Sequence, residues 1–265
     1  MKLINRIKTY LVAAPVFTVL LFSAPSGFCA DENGTQIGTV VAVKQSGWAN
    51  RMNESVKRTI AKGDIVYAGD IIDVKYGNFV QIALKGNPDN IIHVEGNSLI
   101  QMFADGPTNV ELSKGKVYAM LDNLGSANGF KISTPTAIAS VRGTYYQVKT
   151  DGVATQAITY QGNVRVGGRH QDGEGTRGEV SVLAAQMTEV NGFSRVPKDP
   201  VVISESEFEE INDVIRILET PKPMLDYQEA LKASKSEAPV ESGSKLVKSG
   251  DEDDSEQEQG SQVVY

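Results

Sequence analysis

From Gln36 to about Val202 the chain never sustains a helical period, and that limits what it can fold into. Short apolar alternations take its place, as in Ile37, Thr39, Val41 and Val43, and again in Val80, Ile82 and Leu84. A period of two puts alternate side chains on opposite faces of a strand. Glycine punctuates these runs. Gly-X-Val recurs at Gly38, Gly115, Gly162 and Gly178, each time where a turn hands over to a strand. The uneven spacings rule out a fixed repeat unit, so what recurs is turn chemistry. The expectation is an all-β body over residues 36–202, a short-stranded twisted β-sandwich or a solenoid-like β-roll.

The two ends read differently. Lys2, Arg6 and Lys8 precede an uncharged stretch from Thr9 to Ala30 with an apolar centre around Val16 to Phe22. This is the pattern of a secretory signal peptide covering residues 1–30, and it implies a periplasmic or secreted chain beginning near Ala30 or Asp31. Pro15, Pro25 and Gly27 dilute the segment, which argues against a retained membrane span. Cys29 is the only cysteine, so no internal disulfide is available. Phe28 before it is too large for a lipobox, which leaves lipid anchoring at Cys29 as the lesser alternative. Beyond Pro200, Ser204 and Glu207 form a capping-box pattern. Phe208, Ile211, Val214, Ile215 and Leu218 then share one helical face, which predicts one amphipathic helix within residues 203–219. Residues 220–265 read as a disordered acidic tail with an acidic run from Asp251 to Asp254.

The net charge of −7 divides into +3 for residues 1–30, −5 for 31–220 and −5 for 221–265. With no basic stripe to neutralise phosphates, nucleic acid is not an expected partner. The two histidines, His93 and His170, sit in no catalytic or metal-binding motif, and no nucleophile elbow, phosphate loop or zinc signature occurs. The expected protein is therefore non-enzymatic, with no cofactor and no metal. Gly63-Asp64 and Gly69-Asp70 repeat six residues apart and suit tight corners; calcium ligation by Asp64, Asp70 and Asp73 is the weaker reading, because the spacing does not match a calcium loop. Trp48, Tyr145, Tyr146 and Tyr160 suit cross-strand packing. A glycan-binding face led by Trp48, with Tyr145 and Tyr146, is the alternative.

Several of these pieces resemble the FecR domain family. Phe130-Lys131-Ile132-Ser133-Thr134-Pro135 followed by Val141-Arg142-Gly143-Thr144-Tyr145-Tyr146 is similar to its hallmark of a strand, a Thr-Pro step and an Arg-Gly-Thr before another strand. Gly38 to Val43 resembles the opening strand, the two Gly-Asp corners with Tyr76-Gly77 the double corner, and Tyr160 to Val166 the closing Gly-X-Val strand. The likeness spans about residues 36–168. Lys75 and Pro88 depart from the family pattern at two turns. The resemblance implies an extracytoplasmic sensing or protein-interaction module that engages another cell-envelope protein, with a glycan or peptidoglycan module and an unrecognised hydrolase as alternatives. The founding members carry a cytoplasmic sigma-factor-binding segment before a membrane span. Only eight residues precede the apolar stretch here, so a stand-alone exported domain is expected. The signature residues Gly63, Asp64, Gly69, Asp70, Thr134, Pro135, Arg142, Gly143, Thr144 and Gly162 are expected to be architectural. Pro135 would set a turn, Gly143 would free the backbone, and Arg142 would be a buried cation donating to carbonyls of the Ser133 to Thr136 corner.

Overall fold

The computed structural model describes residues 34–44, 47–50, 58–104, 108–122, 124, 129–141, 143–173 and 175–237. The signal-peptide expectation for residues 1–30, with Cys29, and the acidic run from Asp251 lie outside the described residues. Alternation produces strands throughout: β1 (Gln36–Val43), β2 (Gly47–Asn50), β3 (Arg58–Ile60), β4 (Ile65–Tyr67), β5 (Ile71–Val74), β6 (Phe79–Leu84), β7 (Ile91–Glu95), β8 (Ser98–Phe103) and β9 (Thr108–Met120). There follow β10 (Phe130–Ser133), β11 (Ala137–Val141), β12 (Tyr145–Thr150), β13 (Ala154–Gln161), β14 (Asn163–Arg169), β15 (Thr176–Leu183), β16 (Gln186–Asn191) and β17 (Val201–Val202).

Pairing arranges these strands into two sheets. Sheet A runs β4–β1–β6–β7–β9–β12–β13–β16–β17. Sheet B runs β3–β2–β5–β8–β9–β10–β11–β14–β15. Every described pairing is antiparallel except β9 with β10. The body is thus an all-β sandwich in which β9 belongs to both layers. Its first half pairs in sheet B as far as Lys114, opposite Leu99, and its second half pairs in sheet A from Gly115, opposite Thr150.

Gly115 makes that crossing possible. Its φ is +101°, and a Cβ there would stand 2.2 Å from Ser98 Oγ, so no larger residue fits without displacing β8. Ser98, itself fully buried, completes the joint: its hydroxyl accepts from the Lys116 N–H at 3.0 Å and donates to the Lys116 carbonyl at 3.2 Å. The main core lies between the sheets. Ile82, Val94, Val117 and Val148 of sheet A meet Ile72, Ile100, Val110, Ile132 and Val164 of sheet B, all fully buried or within 1% of it.

A second core covers the outer face of sheet A. Ser204 caps helix α1 (Glu205–Arg216) in a full capping box with Glu207. Phe208, Ile211, Val214 and Ile215 of α1 bury themselves against Ile91, Tyr118, Met120, Ile158 and Tyr160. The expectation of disorder from residue 220 is corrected here, because a second helix, α2 (Tyr227–Glu237), packs into the same cluster through Tyr227, Ala230 and Leu231. Composition hid this segment because its few apolar residues are buried by tertiary contact and need no core of their own. Its start was nonetheless written in Asp226 and Glu229: the Asp226 carboxylate accepts from the Glu229 N–H at 2.8 Å. Asn212 ties α1 to the segment leading into α2, donating to the Leu225 carbonyl at 3.0 Å and accepting from the Leu225 N–H at 2.9 Å. Among the described residues no helix is long and apolar enough to cross a membrane.

Gly115→Ala combines positive-φ strain with overlap on β8 and is expected to lower stability by about 2–4 kcal/mol. Ser98→Ala, which removes one buried hydroxyl, should cost about 1–2 kcal/mol. Urea denaturation of both variants beside the parent checks the order. A smaller loss for Gly115→Ala than for Ser98→Ala contradicts the role given to the crossing.

Candidate functional site

The two Gly-Asp corners are one device used twice. Asp64 Oδ2 accepts from the Ala61 N–H at 3.0 Å while the Asp64 N–H returns to the Ala61 carbonyl at 3.2 Å. Asp70 treats Tyr67 the same way, at 2.8 and 3.1 Å. Gly63 and Gly69 supply the positive φ values of 94° and 93° that such turns require. Both carboxylates are turned onto backbone donors, and Asp73 pairs with Lys75. Among the described residues no group of three acidic, histidine or cysteine side chains is placed to hold a metal.

The Thr-Pro step closes the β10–β11 turn around a buried hydroxyl node. Pro135 stands in the bend itself. Thr134 Oγ1 accepts from the Ala137 N–H at 2.9 Å and lies 2.7 Å from Thr155 Oγ1, which in turn lies 2.7 Å from Thr136 Oγ1. Arg169 supplies a cation at this corner. Its Nη1 donates to the Thr134 carbonyl at 2.9 Å and to Glu111 Oε1 at 2.8 Å. The expectation that Arg142 donates to these carbonyls concerns a residue outside the described ones. The antiparallel register of β11 with β14, Ala137 opposite Gly168, brings Arg169 here from 35 residues away.

Gly143, Thr144 and Gly162 form a second lock. The Thr144 carbonyl accepts from the Leu121 N–H at 3.0 Å. A Cβ on Gly162, whose φ is +81°, would stand 2.8 Å from Thr144 Cγ2 and 3.1 Å from the Gly143 carbonyl. The aromatic candidates divide. Trp48 lies on β2 opposite Asp73, its side chain outside the described residues. Tyr145 and Tyr146 are buried, 4% and 0% exposed, and so form no open binding face, which corrects that expectation. As neighbours on one strand they point to opposite faces of sheet A, and both faces are covered. Tyr145 bonds Asp122 beneath the side chain of Lys222, which also pairs with Asp122. Tyr146 enters the inter-sheet core, where burial pushes its hydroxyl pKa far up.

A further polar constellation lies beneath α1. Gln81, His93, Tyr118, Gln147 and Ile158 stand opposite one another in register across β6, β7, β9, β12 and β13. An aromatic chain runs Phe79, His93, Tyr118, Tyr160, Phe208 and Tyr227, with ring centroids 5.1 to 6.4 Å apart. The Tyr160 hydroxyl donates to Gln147 Oε1 at 2.9 Å. Gln81 clamps the end of α1 to the sheet: its Nε2 donates to the Ile217 carbonyl at 2.9 Å and its Oε1 accepts from the Glu219 N–H at 3.2 Å. With that oxygen occupied, Gln81 presents its NH2 to His93 Nδ1 at 3.3 Å, so the imidazole accepts there and is neutral. Tyr118 and Lys116 both reach Glu210 of α1, at 3.3 and 3.2 Å. The visible signal was a glutamine inside each of two apolar strands, Phe79–Leu84 and Tyr145–Thr150. The constellation's chemistry is that of a packed polar latch.

Burial, with Lys116 adding repulsion, lowers the His93 pKa from 6.5 to about 4. In the unfolded chain the ring protonates below its ordinary value, while the folded protein holds it neutral until about pH 4, so the unfolded state binds more protons between them. The His93 contribution is therefore a stability that falls as pH drops from about 6.5 to about 4, by about 3 kcal/mol in all. Lys116, Glu95 and Glu210 are the charged groups around this row. Urea midpoints from pH 7 to pH 4 for the parent and His93→Phe check this; equal pH slopes for the two proteins refute it.

Against known proteins, the chain matches the family model described as FecR protein over residues 70–165. No curated protein matches it. Two crystal structures of a candidate anti-sigma factor from Parabacteroides distasonis ATCC 8503 are similar in part. The first shows 15% identity and a TM-score of 0.44, covering 56% of this chain and 65% of that one. The second shows 16% identity and a TM-score of 0.43, covering 55% and 71%. The chain thus spans a little under two thirds of the first relative's length. The matched segment starts at the Asp70 corner and takes in the threonine node, the Gly143–Thr144 lock and the first residues of β14; the protein therefore carries a FecR segment at residues 70–165.

Proposed function

We propose that this protein is a non-enzymatic, exported sensing or protein-interaction module of the cell envelope, whose partner is another envelope protein. The observation that carries this reading is where the signature side chains go. Asp64, Asp70, Thr134 and Thr144 are all turned onto backbone groups or into the core, and Gly63, Gly69, Gly143 and Gly162 serve turns and close approaches. These placements serve the fold, which supports an action through the protein's surfaces. The basic and apolar pattern of residues 1–30 supports export.

In native cells the mature chain is expected to begin near Ala30 or Asp31, read by intact mass. Photo-crosslinking side chains placed at Tyr76, 91% exposed, and Val153, 65% exposed, sample two open surfaces. The expected result is a discrete covalent adduct to one envelope protein from at least one position. Crosslinks only to solvent at both, with turnover of an envelope polymer by the purified chain, would replace this reading with an enzymatic one.

A further inference from the structure

The two sheets are treated differently on their outer faces: helices cover sheet A, while Lys131, Ile138, Ser140 and Arg165 of sheet B stay partly or fully exposed. On that open face Lys131, Ser140 and Arg165 stand directly opposite one another across β10, β11 and β14. Strand spacing sets the backbones of Lys131 and Arg165 about 10 Å apart, with Ser140 on the strand between them. They line a cavity of about 360 Å³ together with Gly129, Asn163 and the backbone neighbours Phe130 and Val141, whose side chains belong to the inter-sheet core.

The lining is unusual for this chain. The protein has 33 acidic and 26 basic residues, yet the described lining has two cations, a serine and an asparagine and no carboxylate. Arg165 has one ion-pair partner, Glu179 on β15 at 3.2 Å, and both side chains are largely exposed. An exposed pair of this kind is weak and easily exchanged for a better-placed anion. The cavity volume falls in the range of small-ligand sites, where a few convergent polar groups fix the ligand's orientation.

We infer that the Lys131–Ser140–Arg165 cavity binds an anionic, hydroxyl-rich ligand of monosaccharide size, a sugar acid or a sugar phosphate. Lys131 and Arg165 hold the charge from either side, Ser140 and Asn163 bond the hydroxyls, and Glu179 is the internal competitor that the ligand displaces from Arg165. This inference does not depend on the protein-interaction reading.

The test is NMR titration of the full chain with glucuronate, glucose 6-phosphate, inorganic phosphate and neutral glucose as four separate probes. The expected result is saturable shifts at Lys131, Ser140 and Arg165 with one or both sugar anions, weaker shifts with phosphate and none with glucose. The tighter of the two sugar anions identifies the source. Lys131→Ala and Arg165→Ala should each weaken binding about tenfold, and raised salt should do the same. Glu179→Gln, which frees Arg165 without touching the cavity, should tighten it about threefold. No shift with either sugar anion up to about 20 mM, a concentration that exposes even millimolar affinity, overturns the inference. So do equal binding by glucose, equal binding by phosphate alone, or unchanged affinity in all three variants.

Discussion

Strand β9 is shared by both layers of the sandwich, and the rest of the fold takes its register from it. Between Lys114 and Gly115 the strand leaves sheet B, where β8 and β10 flank it, and enters sheet A, where β7 and β12 do. Its side chains consequently define both cores: Val110, Leu112 and Val117 face inward between the sheets, while Tyr118 and Met120 face the helices. One glycine and one serine hydroxyl hold that crossing. A slip of one residue there would exchange inner and outer faces along the strand, placing Tyr118 in the sandwich core and Val117 beneath α1.

The helical cover over sheet A is held by both apolar and polar contacts. Phe208, Ile211 and Val214 supply the apolar part. Gln81, Glu210, Asn212 and Lys222 each make bonds that only one placement of α1 and the following strap satisfies. Buried polar groups add little net stability but penalise every arrangement that leaves them unpaired. The apolar side chains therefore attach the helix, and the polar ones fix its register on the sheet.

Much of this was legible in the sequence, and the limits have physical causes. The strand alternation, the Gly-Asp corners, the Thr-Pro turn and the Ser204 capping box depend on residues close together in the chain, so local reading finds them. Arg169 at the threonine corner was hidden because strand pairing, not sequence distance, sets its neighbours. Tyr145 and Tyr146 suggested an open aromatic face because period-two reasoning assumes that one side of a strand meets water, and both sides of β12 are covered. His93 is 1% exposed for the same reason, since β7 too is covered on both faces. Helix α2 has too few apolar residues to announce itself, and it is stable only against α1 and the sheet.

The position of the cover in the chain has a consequence for biogenesis. Ile91, Tyr118, Met120, Ile158 and Tyr160 all precede residue 205 in synthesis, whereas the side chains that shield them come after it. A chain emerging from its N-terminus completes the sandwich while this apolar face is still bare, and a product cut short before Phe208 keeps it bare permanently. Transiently exposed apolar surface invites association and proteolysis. Closure of this face thus waits on α1 and α2, which follow every described strand in chain order.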